Sequence, residues 1–100
     1  MNIVEKNIDS LIELCKNHKV GELYIFGSIL ADKFNENSDI NFLISFDNLS
    51  FDRYTGNYFD LHYKLQDLFN RRIDLLTENS LSNPFFIKCV DLTKQLIFAA

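Results

Sequence analysis

A chain of 100 residues with 47% hydrophobic content can bury a real core without staples, and it is expected to fold as one domain over residues 1–100. The net charge of −4 and the scattered basic residues lack the clustered footprint of a protein that grips a phosphate backbone, so nucleic acid is not the expected partner. No segment approaches the roughly 18 consecutive apolar residues of a membrane span, and no charged-then-apolar leader opens the chain, so a cytoplasmic protein is expected.

The predicted elements follow in order. Asn2 and Glu5 read as a capping box for a first helix, with Val4, Ile8, Leu11, Ile12 and Cys15 forming its apolar stripe. Val20-Gly21 reads as its end, and Leu23–Phe26 is a short apolar run of the buried-strand type. A helical turn is expected from Ser28 to about Phe34, then a polar loop over residues 35–38. Ile40, Phe42, Ile44 and Phe46 alternate with Asn41, Leu43 and Ser45, which predicts a strand. Residues 47–54 read as a loop. A long helix follows, with Tyr58, Leu61, Leu65, Leu68 and Phe69 facing inward, and Ile73–Leu76 is a third strand. Asn83-Pro84 signals a helix start, cap then proline. That helix is expected to run to about Asp91, and residues 95–99 can add an edge strand.

This alternation predicts an α/β fold, a small mixed sheet flanked by helices. The sheet must be mixed because the first two strands are joined by too short a segment for a parallel crossover.

Chemistry concentrates at three places. Gly27-Ser28 lies between a strand and a helical turn, where backbone N–H groups can face phosphates, although a structural turn with a serine cap reads equally from that pair alone. Asp39 and Asn41 sit two apart beside a strand and share the face opposite the Ile/Phe row. Asp74 lies inside an apolar strand, a costly place for an acid unless it is paired or faces a site. Oxygen donors so arranged can hold magnesium against a triphosphate.

The remaining polar residues suggest less. His18 and His62 have no metal-ligand partners at helical spacing and read as surface or structural. Lys16, His18 and Lys19, like Arg71-Arg72, read as solvated helix ends. Cys15 and Cys89 read as buried free thiols of a reducing compartment. Most of the ten phenylalanines are expected in the core. The group Phe51, Tyr54, Tyr58, Phe59 and Tyr63 exceeds what one helix face can bury, leaving a subset for a protein partner.

The segments GSILADKFNENSDIN and RRIDLLTENSLSNPFFIKCV resemble the minimal nucleotidyltransferase (MNT) family of the DNA polymerase beta-like superfamily. Its hallmark is Gly-Ser, ten residues, Asp-x-Asp, and a third Asp on a later strand. The resemblance covers essentially the whole chain and implies a nucleotidyltransferase fold of three core strands with magnesium-ATP at the sheet edge. It further implies that Gly27 and Ser28 bind the triphosphate of ATP or another nucleotide. Asp39, Asn41 and Asp74 would hold Mg2+, with Asp39 and Asp74 catalytic. Small stand-alone members include antitoxins paired with HEPN-domain toxins, some of which they adenylylate on tyrosine. A HEPN-type partner, in a homo- or hetero-oligomer, is thus the implied association.

Two departures alter that expectation. Members often carry Arg-Ala-Arg-Gly after Gly-Ser, whereas this chain has Ile29-Leu30-Ala31-Asp32. Asn41 stands where the second acid of Asp-x-Asp is expected, and a neutral amide cannot bridge two divalent ions as a carboxylate does. Asn41 reads as a weak metal ligand, a hydrogen-bonding group for ribose or phosphate, or a surface residue. The expected function is a HEPN/MNT-type antitoxin with impaired catalysis. The alternatives are an active enzyme moving AMP from ATP to a protein hydroxyl, and a nucleotide-binding regulatory module.

Overall fold

Asn2 caps the first turn by accepting from the Glu5 N–H at 2.9 Å. The expected single helix is broken in two, α1 (Ile3–Lys6) and α2 (Ile8–Asn17), because the Asn7 side chain donates to the Ile3 carbonyl and competes with the helical ladder. The stripe survives the break: Val4, Leu11 and Cys15 are buried. Lys19, at φ 59°, reverses the chain, so Val20-Gly21 opens a strand rather than closing the helix. The computed structural model describes residues 2–30, 34–35 and 37–100, with the side chains of Ser28, Leu30 and Asn79 outside that description.

Strand β1 (Val20–Phe26) leads into a 3-10 turn over Gly27–Leu30, and β2 (Ile40–Phe46) returns antiparallel to it. The turn expected from Ser28 to Phe34 is present over Gly27–Leu30, and its remainder at residues 31–33 lies outside the described residues. Helix α3 (Phe51–Phe69) carries the chain across to β3 (Ile73–Thr77), which pairs parallel with β2. A parallel pair needs such a crossover. The start of α3 corrects the expected loop over 47–54: Asp52 lies in its first turn, where the helix dipole favours an acid, and Tyr54 packs edge-on against Phe46 at 5.2 Å. Helix α4 (Pro84–Thr93) begins at its Asn83 cap, and β4 (Gln95–Ala99) adds antiparallel to β1. The result is a four-stranded mixed sheet in the order β3-β2-β1-β4, as the edge-strand reading anticipated.

The two faces of the sheet do different work. One carries Leu23, Ile25, Ile40, Phe42, Ile44, Ile73 and Leu75 against α1, α2 and α3. The other holds a smaller cluster of Phe26, Leu43 and Val90 beneath α4. Edge strand β3 is protected by α3: Tyr58 donates to the Leu75 carbonyl and His62 Nε2 lies 2.7 Å from the Ile73 carbonyl. Those carbonyls would otherwise stay open to a foreign strand. Burial, helped by the negative charges near Tyr54 and Asp74, raises the Tyr58 pKa and keeps its hydroxyl a donor.

Several residues sit elsewhere than composition suggested. Cys15 is buried, and burial pushes its thiol up to about 12, but Cys89 is exposed. Phe51 is 97% exposed and Phe85 81%, with Phe59, Phe86 and Tyr63 also open, so most of the α3 aromatic group is not core. His18 is buried rather than solvated. Its ring reaches the Leu14 carbonyl at 2.7 Å and Asp60 at 2.6 Å, tying α2 to α3.

Candidate active site

Strand register gathers the chemistry. Phe26 pairs with Asn41 across β1 and β2, and Asn41 pairs with Asp74 across β2 and β3, so these three residues form one row on the α4 face. Asp39 lies two residues before Asn41, at the entrance to β2. Asp39 and Asp74 converge: Arg72 Nε lies 3.8 Å from Asp39 Oδ2 and 3.7 Å from Asp74 Oδ1. Both acids are partly open to solvent.

Gly27 is held at φ +80°, a region that a side chain rarely tolerates. A Cβ there would come within 2.5 Å of Asn41 Nδ2, so the absence of a side chain at 27 makes room for the amide at 41. Gly27 and Asn41 are thus adjacent in space. The Ser28 side chain and residues Ala31 and Asp32 lie outside the described residues.

These groups close one end of a cleft of about 400 Å³ between the sheet and α4. Its polar end is Gly27, Asn41 and Asp74, and its walls include Phe26, Leu76, Phe86 and Val90. An apolar wall with a few convergent polar groups is the usual form of a small-molecule site. The ring of Phe86 meets Phe26 edge-on at 6.1 Å, so α4 and the end of β1 shape the wall together.

The arginine pair is where sequence reasoning fell short. Neither residue is a mere solvated helix end. Arg71 donates from one Nη to the carbonyls of Asn35 and Ser38, both at 3.0 Å, and its guanidinium stacks 5.0 Å from the Phe34 ring centroid. It clasps the loop that delivers Asp39. Arg72 bridges the two acids. The signal was available for Arg72: a residue two before Asp74 on the same extended segment faces the same way. For Arg71 there was none, since its partners are loop carbonyls more than thirty residues away. Arg71→Ala is expected to lower stability by about 2 kcal/mol, measured by urea unfolding, because two charge-assisted bonds are lost together.

Among the described residues no three His, Cys, Asp or Glu side chains converge as a metal cluster. The donor set is two carboxylates and an amide. That set suits one hard divalent ion shared with phosphates and water, because magnesium is commonly held through one or two carboxylates. It does not suit two bridged ions, for want of an acid at position 41.

The polymerase beta nucleotidyltransferase family model matches residues 9–100. A candidate protein adenylyltransferase of Methanocaldococcus jannaschii is 34% identical over 80 residues, covering 79% of this chain and 78% of the relative. Among solved structures, a candidate minimal nucleotidyltransferase superposes with a TM-score of 0.75 at 22% identity, covering 92% of this chain and 90% of its own. The complex of a tri-AMPylated Shewanella oneidensis HEPN toxin with MNT antitoxin matches at a TM-score of 0.62 and 21% identity, covering 98% and 74%. The four-stranded mixed sheet with its flanking helices agrees with the fold of these structures, and the chain belongs to the polymerase beta nucleotidyltransferase family.

Proposed function

We propose that this chain is an MNT-type antitoxin that binds and neutralises a HEPN-type toxin, with its nucleotidyl-transfer chemistry impaired. The observation that carries this reading is the composition of the site: Asp39 and Asp74 converge, but an amide, Asn41, stands directly opposite Asp74 in the strand register. The nucleotide would lie in the cleft beside α4, with its phosphates toward the Gly27 turn. Mg2+ would be held by Asp39 and Asp74, with the Asn41 amide oxygen as a third, weaker donor. Such an ion would supply charge neutralisation at the phosphates. Asp39 and Asp74 would orient the cation they hold, and the buried Phe26 ring, with Phe86 edge-on against it, forms the apolar wall. A second ion, needed to clamp attacking and leaving oxygens at once, lacks its bridging acid. A deficit of even about 3 kcal/mol in transition-state stabilisation lowers the rate roughly a hundredfold.

The second reading is an active enzyme that moves AMP from ATP to a protein hydroxyl. It is favoured by the convergence of both remaining acids on one point and by the relative named as a candidate protein adenylyltransferase. Two experiments separate the readings. Intact-mass analysis of the helical partner that co-purifies from the native host is expected to show an unmodified protein. Adenylate additions on that partner, lost in Asp39→Ala and Asp74→Ala, would establish the enzyme instead. In cells, a double variant lacking both acids is expected still to protect against the toxin.

A further inference from the structure

The Arg72 side chain is 74% exposed, yet its Nε stands within 4 Å of carboxylates from two different segments. Both separations exceed hydrogen-bond length, so these are loose ion pairs that a stronger cation can replace. The guanidinium thus sets a positive charge beside this acid pair. Arg72 is also anchored where it matters. Its carbonyl accepts from the Ile40 N–H at 3.3 Å, which fixes its backbone between β2 and β3 while the side chain stays free to swing.

We propose that Arg72 is the resident counter-ion of the Asp39–Asp74 pair and that a divalent cation displaces it on entering the site. Without metal, the guanidinium offsets the repulsion between two acids brought together by strand register. When a divalent ion arrives, the two cations compete for the same oxygens, and the flexible arginine moves out toward solvent. Arg72 is in this sense a positioning residue: it offsets part of the negative charge of the metal-free site and sets how tightly the free ion binds. The consequence is a site that takes free metal weakly and prefers metal already escorted by phosphate charge. This inference rests on the reading that Asp39 and Asp74 form the metal site.

The test is Mn2+ binding to the full chain without nucleotide, read by electron paramagnetic resonance and by the metal-dependent shift in melting temperature. Arg72→Gln is expected to bind Mn2+ roughly three- to tenfold more tightly than the wild type, because a fixed like charge is removed. It is also expected to melt lower than the wild type in chelator and to recover with Mn2+. Arg72→Lys, which keeps a cation, should stay near the wild type and controls for loss of the long side chain. Asp74→Asn should bind more weakly. Equal or weaker Mn2+ binding by Arg72→Gln, with Asp74→Asn impaired, would overturn the role of Arg72 and leave the metal site standing. Unchanged binding in Asp74→Asn, or no binding by any variant, would remove the metal site itself and the inference with it.

Discussion

Asn41→Asp is expected to bind Mg2+ and ATP about tenfold more tightly than the wild type, because it completes a three-carboxylate donor set at a site whose affinity follows ligand charge. The register supports the substitution sterically. Position 41 pairs directly with Asp74 and abuts Gly27, and aspartate has nearly the shape of asparagine. The gain carries a cost in the metal-free protein. A third acid beside Asp39 and Asp74 adds like-charge repulsion, on the order of 1 kcal/mol at so open a site. The variant is therefore expected to melt below the wild type in chelator and above it in saturating magnesium, as ligand linkage requires. Calorimetry with magnesium and ATP, alongside melting curves in both conditions, checks the two halves separately. No gain in affinity would place residue 41 outside the metal shell. A gain in affinity together with label transfer to a partner protein would show that the missing acid is the main lesion. A gain without transfer would point to the segment after Gly27-Ser28, where two family arginines are absent.

Phe42→Ala is expected to cost about 3–5 kcal/mol, which approaches the whole stability of many domains this size. Phe42 is fully buried on the central strand β2, and its ring lies 5.9 Å from that of Phe69 on α3. Its neighbours in the strand are Asn41 and Leu43, so the same segment that displays the site on one face anchors the larger core on the other. Truncation leaves a cavity between the sheet and α3 that rigid neighbours cannot fill. Phe51→Ala is the matched control. The same side chain is 97% exposed there, and its loss should change stability by less than about 0.5 kcal/mol. Urea unfolding of both variants measures the contrast. A similar loss at both positions would mean that Phe51 is covered in solution, for instance by association.

The contrast between Phe42 and Phe51 also marks where sequence reading stopped. Alternation through residues 40–46 assigns Phe42 to a buried face because its partners at Ile40 and Ile44 share the period. Phe51 opens a helix, where one residue has no established period to follow, so the sequence left open which aromatics of its group would be exposed. Cys89 on α4 was read as buried, but that helix covers only one end of the sheet, and Cys89, like Phe85, is exposed among the described residues.

Local chemistry was enough wherever the controlling interaction spans a few residues. The Asn2 and Asn83 caps, the period-two strand, the mixed sheet required by the short link between the first two strands and the spacing from Gly27 to Asp39 are all short-range, and each was legible in the sequence. Tertiary structure decided what depends on distant partners. It brought Asn41 into register with Asp74 and filled the space above Gly27 with an amide. It also buried His18 against Asp60, and turned an ordinary Arg-Arg pair into a loop clasp and a counter-ion. The physical reason is that charges and hydrogen bonds act over a few ångströms in space, whatever their separation along the chain, and only the folded backbone sets those distances.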